Sequence, residues 1–185
     1  MPRGVPRGGA VVCHPHPQYG GEMRNPVVEA VVRALVDTGW MALRFNFGGV
    51  GRSGGTYSGG SEEIGDVTVA LKAVADRLPP GAPRVLAGYS FGAWAGAMAA
   101  RDIDRLHRVV AVAPPLSFFD WSFAGSLRTP LAIVVGDRDQ YCPRASVDAL
   151  AVTLAGRANV AIIPRADHFL AGREDDVAAA VRAAL

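Results

Sequence analysis

Ser90 lies at the centre of a Gly-x-Ser-x-Gly sequence that runs from Gly88 to Gly92. The apolar run before it, residues 85–87, is typical of a strand, and the Ala-rich run after it is typical of a helix. A serine on such a strand-to-helix turn stands above a sheet with its hydroxyl exposed. The two glycines suit this turn because side chains two residues from the serine would collide in so sharp a bend. Ser90 is therefore the candidate nucleophile.

A serine hydroxyl attacks a carbonyl efficiently only when a base takes its proton and an acid orients that base. On a sheet with this kind of turn, the partners follow in the order Ser, Asp or Glu, His, each after a strand. The strand-like run 160–163 leads to His168, the candidate base. His107 is the other histidine after Ser90, but it lies in a charged segment before a strand and is expected at the surface.

Two aspartates compete for the role of the acid, and both follow the strand-like run 131–135. Asp139 lies further out on its loop and can reach back to the imidazole, whereas Asp137 is close to the strand end. Asp167 is adjacent to His168, and adjacent side chains on an extended segment diverge. The residues favour Asp139, with Asp137 as a turn former.

Two backbone N–H groups are expected to hold the oxyanion that forms during the attack. Phe91 opens the helix after the serine, where its free N–H lies at the positive end of the helix dipole. The second donor is expected from the loop 14–21, which follows the first strand. Prolines alternate with other residues there and have no N–H, so the candidates are His16, Gln18 and Tyr19.

Two alternative sites, one for a metal ion and one for a dinucleotide, fit the sequence less well. His14 and His16 alternate along an extended loop, so that their side chains point to opposite sides, and no third histidine lies nearby to complete a metal site. Residues 49–54 match a dinucleotide fingerprint, but Gly54 should open a helix, and the sequence after it continues as loop. We expect no metal ion and no cofactor.

The elements that must position these residues alternate between strand and helix along the chain. This order predicts an α/β fold, with a doubly wound, mostly parallel sheet between two helical layers. Asn25 and Pro26 suit the start of the first helix, which should stop at Gly39. The predicted strands are 10–13, 40–47, the run before Ser90, 108–113, 131–135 and 160–163. The predicted helices after the first are 62–78, the run after Ser90, 145–154 and 175–185.

The composition restricts the classes of function. The chain has 185 residues, of which 50% are hydrophobic and 19% charged, so we expect one domain, residues 1–185. A net charge of +2 with scattered arginines argues against a nucleic-acid partner, and no apolar run is long enough for a membrane span. Residues 1–9 lack a signal-peptide pattern. Cys13 and Cys142 form no disulfide framework and have no assigned chemical role, which favours a cytoplasmic location.

Four blocks of the sequence, in this order, resemble those of the α/β-hydrolase superfamily. They are Asn-Phe-Gly-Gly-Val-Gly-Arg-Ser at 46–53, Gly-Tyr-Ser-Phe-Gly at 88–92, Gly-Asp-Arg-Asp at 136–139 and Ala-Asp-His-Phe at 166–169. The stretch 14–25, which begins His-Pro-His-Pro-Gln-Tyr-Gly-Gly, resembles a bacterial branch of small, lidless serine hydrolases near the dienelactone-hydrolase-like proteins. The resemblance covers nearly the whole chain.

This resemblance implies several features of the site and the sheet. The family pattern places the acid three residues after a glycine, at Asp139, and the second oxyanion donor at His16, with Gln18 in reserve. The family's core has eight strands, and its first two precede the first strand predicted here, which leaves about six. With the usual strand order, residues 40–47 then form an exposed sheet edge. Such an edge needs covering, and we expect a second copy of the chain to cover it.

The stretch where larger hydrolases insert a lid is only a short cap segment here, residues 115–130. It implies an open, shallow site for small or flexible substrates. Aromatic residues of the cap, together with two tyrosines from other loops, are expected to form the walls of the substrate pocket. These residues are Phe118, Phe119, Trp121, Tyr19 and Tyr141.

The sequence as a whole predicts a serine hydrolase of the carboxylesterase type, acting on a small-molecule ester through an acyl-enzyme intermediate. A thioesterase or amidase would use the same three side chains. The alternative from another class is a non-catalytic binding module that has retained the fold.

Overall fold

A six-stranded parallel sheet forms the centre of the computed structural model, which describes Pro2 and residues 4–185. Met1 and Arg3, from the N-terminal stretch in which the sequence predicts no element, lie outside the described residues. The neighbouring strands follow the order β2-β1-β3-β4-β5-β6, and every pair is parallel. The strands are β1 (Gly8–Cys13), β2 (Trp40–Arg44), β3 (Arg84–Tyr89), β4 (Leu106–Val112), β5 (Leu131–Gly136) and β6 (Ala158–Ile163).

Helices cover both faces of this sheet. The helices are α1 (Pro26–Asp37), α2 (Ser61–Ala75), α3 (Phe91–Ala99), α4 (Arg144–Thr153) and α5 (Glu174–Ala184). One apolar core lies between the sheet and α2, α3 and α4, and the other lies between the sheet and α1 and α5. The predicted three-layer α/β architecture with six strands is confirmed.

The start of α1 follows directly from its sequence. The Asn25 side chain accepts a hydrogen bond of 3.0 Å from the Val27 N–H, and Pro26 occupies the first turn. An asparagine cap satisfies a backbone donor that the helix itself leaves free. The helix ends as predicted before Gly39, which has a φ of 88° that glycine adopts without strain.

Strand β2 is shorter than the predicted 40–47. Its register with β1 ends at the pair Val12 and Arg44. Beyond it, the Phe47 N–H donates to Nε2 of the buried His14 at 3.0 Å instead of to a neighbouring strand. The chain therefore leaves the sheet because a side chain replaces the strand partner.

Helix α2 is also shorter than predicted, since it ends at Ala75 rather than at Leu78. The N–H groups of Arg77 and Leu78 donate to the carbonyls three residues back, which tightens the last turn. A proline disfavours helical geometry in the residue before it, and Pro79 follows directly.

Strand β2 lies at one edge of the sheet, next to β1 alone, and β6 forms the opposite edge. The edge position predicted for residues 40–47 is confirmed for the part that forms β2. That a second copy of the chain covers this edge stays a prediction.

None of the helices in the described part of the chain combines the length and the hydropathy that a membrane crossing requires.

Candidate active site

Ser90 occupies the tight turn between β3 and α3. Its φ of 53° and ψ of −120° lie in a region that residues other than glycine rarely adopt. The Ser90 N–H donates to the Val112 carbonyl at 2.9 Å, which fixes the turn to the end of β4. Strained backbone of this kind is concentrated at functional sites, and a serine turn between strand and helix is the geometry of a nucleophile elbow.

The two glycines around Ser90 permit two close backbone approaches. A Cβ atom at Gly88 would collide with the Gly92 carbonyl, and one at Gly92 would collide with the carbonyl oxygens of Cys13 and His14. Gly92 therefore brings the first turn of α3 against the end of β1. The loop of residues 14–21, which we call the oxyanion loop after the role that the sequence predicts for it, starts at this point.

Replacement of Gly92 with alanine is expected to destabilise the protein by about 2 kcal/mol or more, because the backbone must move to admit the methyl group. Gly96 offers a matched control on the same helix, since its Cβ would meet no atom within 4 Å beyond the adjoining backbone of its own helix. Alanine at Gly96 should stabilise the helix by roughly 0.5–1 kcal/mol. Urea unfolding of both variants measures the two changes, and equal stabilities would contradict this account of the turn.

A continuous chain of hydrogen bonds links Ser90 to His168 and Asp139. Ser90 Oγ lies 2.9 Å from His168 Nε2, and His168 Nδ1 lies 3.0 Å from both carboxylate oxygens of Asp139. The imidazole and the carboxylate are both buried. Because a carboxylate only accepts, Nδ1 carries the hydrogen and Nε2 is free to accept from the serine.

The loop after β5 brings Asp139 to the imidazole. Gly136 lies so close to the loop after β6 that a Cβ atom would collide with the Ala166 carbonyl, which also accepts the Arg138 N–H at 2.9 Å. The Asp139 carboxylate accepts two further hydrogen bonds, of 2.9 and 3.0 Å, from the N–H groups of Tyr141 and Cys142. These bonds hold the carboxylate in one orientation, whereas Asp137 is exposed to solvent.

Asp167 takes no part in this chain of hydrogen bonds. Its carboxylate instead accepts the N–H groups of Phe169 and Leu170 at 3.0 and 3.3 Å, and so shapes the turn that carries the histidine.

Tyr89 supports the same turn from β3, and sequence reasoning missed it. Its hydroxyl donates to the His168 carbonyl at 3.1 Å. Burial, and then the nearby Asp139 carboxylate, raise the pKa of Tyr89, so that the hydroxyl remains a donor. The only feature of the sequence that could have indicated this supporting role is the position of Tyr89 directly before Ser90.

The hydrogen bonds of the oxyanion loop distinguish among its three candidate donors. The Gln18 N–H donates to Nδ1 of His16 at 3.2 Å, and the Tyr19 N–H donates to the His16 carbonyl at 3.1 Å. Gln18 is therefore not available as the reserve donor. The N–H groups of the other two candidate donors, His16 and Phe91, have no hydrogen-bond acceptor in the described part of the chain.

Two histidines brace this loop in different ways. His14 is buried, with Nε2 accepting from Phe47 and Nδ1 donating to the Pro15 carbonyl at 2.6 Å. Burial lowers the pKa of His14 despite that carbonyl. Burial also lowers the pKa of His16, against the raising effect of Glu63. Both shifts favour neutral rings, as their acceptor nitrogens require.

The glycine-rich loop 48–60 packs against the oxyanion loop through the contact between Tyr57 and His16. The buried Glu63 accepts hydrogen bonds from Ser58 and Gly60. Burial acts to raise the pKa of Glu63, but these bonds lower it. The loop thus holds the Tyr57 ring 4.7 Å from the His16 ring. A dinucleotide fingerprint would require a helix to begin at its third glycine, Gly54. Helix α2 begins only at Ser61, so the glycines at 49–54 do not meet this requirement.

A cavity of about 630 Å³ opens beside the Ser90 hydroxyl. Four of the five predicted pocket residues border it, namely Tyr19, Phe118, Phe119 and Tyr141. Sequence reasoning missed Phe169, which follows the histidine directly and also borders the cavity.

The prediction that Trp121 lines the pocket was wrong. Its ring is buried and stacks on Phe123 at a centroid distance of 5.5 Å. The segment 115–130 turns away from the cavity through the short 3₁₀ helix Ser122–Ser126. Only its first part stays at the site, where the Ser117 N–H donates to the Tyr141 carbonyl at 3.0 Å.

The thiols of the two cysteines take no part in this chain of hydrogen bonds. Both are buried, and burial raises the pKa of each thiol, which keeps the sulfur protonated and unreactive. No group of three or more metal-ligating side chains occurs among the described residues. The groups that remain are a serine aimed at an oriented imidazole and two N–H groups free to bind an oxyanion, a set suited to attack on a carbonyl.

Comparisons with known proteins identify relatives with the same fold. An α/β serine hydrolase homologue from Coxiella burnetii is 34% identical, with a TM-score of 0.90 over 100% of this chain and 88% of its own. A serine hydrolase without lid from Xanthomonas campestris is 30% identical, with a TM-score of 0.89 over 99% of this chain and 84% of its own. An uncharacterized protein of Rickettsia prowazekii is 32% identical over 180 residues, which are 93% of this chain and 76% of that protein. No protein-family model matches the chain.

Proposed function

Since the chain belongs to the α/β-hydrolase superfamily and is a hydrolase, we propose that it cleaves carboxylic esters with small or short acyl groups through an acyl-enzyme intermediate. One observation carries this proposal. The hydrogen-bonded chain from Ser90 through His168 to Asp139 is unbroken and opens onto the cavity.

The first half of the reaction forms the acyl-enzyme. His168 takes the Ser90 proton at Nε2 while the serine oxygen bonds to the ester carbonyl carbon. Asp139 stabilises the positive charge that the imidazole then carries. The intermediate collapses when its bond to the alcohol oxygen breaks and His168 returns the proton to that oxygen.

The second half repeats this proton transfer with water. His168 takes a proton from water, whose oxygen bonds to the acyl carbon, and the serine leaves with the proton returned by the imidazole.

The negative charge that develops on the carbonyl oxygen is proposed to bind two backbone donors. These are the N–H groups of Phe91, at the start of α3, and of His16. Each donor of this kind contributes roughly 10²–10³ in rate, and the helix dipole adds to the stabilisation at Phe91.

A fluorophosphonate probe tests the proposal directly, because it reacts with a serine only when a base activates the hydroxyl. We expect one adduct per chain, located at Ser90 by peptide mass spectrometry. The Ser90→Ala variant should give none. A folded protein without an adduct would contradict the hydrolase mechanism and favour a binding module that has kept the fold.

A further inference from the structure

The rings that border the cavity form two groups, and we call the part of the cavity beside each group a half. Phe118, Tyr141 and Phe169 form the half beside the imidazole, which we call the imidazole-side half. Tyr141 lies 4.8 Å from the His168 ring and 5.0 Å from the Phe118 ring, and Phe169 lies 6.0 Å from the imidazole.

The other half lies beside the proposed oxyanion donors and includes His16, Tyr19 and Phe119. The rings of His16 and Tyr19 are 4.7 Å apart, and Phe119 lies 5.6 Å from the Phe91 ring. The proposed oxyanion donors Phe91 and His16 would therefore place the carbonyl oxygen beside this half.

The proposed reaction assigns the alcohol part of the ester to the imidazole-side half. His168 must return its proton to the alcohol oxygen, so that oxygen has to lie within hydrogen-bond reach of Nε2. The group attached to the oxygen then extends over Phe118, Tyr141 and Phe169.

The exposure of the aromatic rings indicates that they contact a ligand. Seven large hydrophobic side chains are exposed in the described part of the chain, and the three aromatic ones all border this cavity. They are Tyr19, Phe118 and Phe169, which are 86%, 67% and 58% exposed. Single exposed hydrophobic residues need no explanation, but a cluster around a concave site marks a binding surface.

The cavity is also without formal charge. None of the described residues that border it is a lysine, arginine, aspartate or glutamate. A charged substituent that entered it would find no oppositely charged side chain among these residues, and the Asp139 carboxylate behind the imidazole would repel an anion.

We propose that the imidazole-side half binds a flat, uncharged aromatic leaving group, which makes aryl esters, the esters of phenols, the preferred substrates. This inference rests on the proposed ester hydrolysis. In the step concerned, the Ser90 oxygen bonds to the carbonyl carbon and the bond to the aryl oxygen breaks. The serine proton passes through His168 to that oxygen, so a neutral phenol leaves.

The first test removes one aromatic ring from this half. Phe118→Ala should lower kcat/KM for phenyl acetate about tenfold more than for methyl acetate, because only the phenyl group contacts the ring. Both esters give the same acetyl-enzyme, so the difference arises in binding or in the steps that form the acetyl-enzyme, including the departure of the alcohol. Intrinsic reactivity cancels because variant and wild type are compared on the same two esters. Val152→Ala, a truncation of an 80% exposed side chain far along the sequence on α4, is the control and should leave the ratio unchanged.

The second test compares phenyl acetate with 4-acetoxybenzoate, which adds a carboxylate to the leaving group without making it a poorer one. We expect kcat/KM to favour the neutral ester by about tenfold or more. Two results would overturn the aryl-ester assignment while Ser90 still reacts with the fluorophosphonate probe. One is that Phe118→Ala leaves the ratio of kcat/KM for phenyl acetate to that for methyl acetate unchanged. The other is that kcat/KM is equal for phenyl acetate and 4-acetoxybenzoate. Absence of both the adduct and all ester cleavage would instead overturn the hydrolase mechanism itself.

Discussion

Replacement of Ser90 with alanine is expected to lower kcat/KM for p-nitrophenyl acetate by about 10⁴–10⁶-fold while the protein stays folded. The substitution removes a single oxygen, the one that would attack the ester. Without it, His168 has no nucleophile to deprotonate, and only the binding of the ester and the oxyanion donors still contribute. Initial rates at several ester concentrations measure the loss.

The fold of this variant should be intact, because the bonds that fix the turn come from the backbone. The Ser90 N–H to the Val112 carbonyl is retained in alanine, and so is the approach of Gly92 to β1. Ser117→Ala is a suitable control, since it removes an exposed hydroxyl from the nearby cap segment. Thermal unfolding checks both proteins. Substantial ester cleavage by a folded Ser90→Ala variant would show that another residue attacks the substrate.

The three predicted members of the hydrogen-bonded chain share one property, which is that each lies on the segment that follows a strand. Ser90 comes after β3, Asp139 after β5 and His168 after β6. In a parallel sheet the carboxyl ends of all strands lie at one edge, so the order of elements along the chain already brings these side chains together. The local sequence was therefore enough to predict that these three side chains lie close together.

Two of the errors concern features that depend on tertiary contacts. Whether an aromatic ring of the cap faces the cavity or the core is decided by packing, and Trp121 faces the core although Phe118 and Phe119 border the cavity. The end of β2 depends on His14, which is far from it in sequence and captures the Phe47 N–H. The pattern of apolar residues within the cap segment or within residues 40–47 does not reveal contacts with residues far away in the sequence.

The oxyanion loop shows a similar limit. Its alternating prolines reduced the candidate donors to three, because proline has no N–H. The choice among the three depends on how the loop closes on itself, through bonds from Gln18 and Tyr19 to different atoms of His16. The family resemblance had favoured His16, and the hydrogen bonds now supply a physical reason for that proposal.

Replacement of Asp139 with asparagine is expected to lower kcat/KM for the same ester by roughly 10⁴-fold. The amide oxygen can take the place of Oδ1 and still accept the N–H groups of Tyr141 and Cys142, which puts the amide NH₂ at the place of Oδ2, 3.0 Å from His168 Nδ1. Because that NH₂ is a donor, it favours the tautomer in which Nδ1 accepts and Nε2 carries the imidazole hydrogen. The imidazole then cannot accept the Ser90 proton, although every heavy atom stays in place.

Asp137→Asn provides the matched control, because the same substitution is made two residues away on the same loop, at an exposed side chain. Its kcat/KM should remain within about twofold of wild type, since surface substitutions without buried partners have small effects. Thermal unfolding should show both variants folded, which separates lost catalysis from lost structure. A large loss in Asp137→Asn with little change in Asp139→Asn would assign the acid to the other aspartate. The observed hydrogen bonds from Nδ1 to both Asp139 oxygens would then have no catalytic meaning.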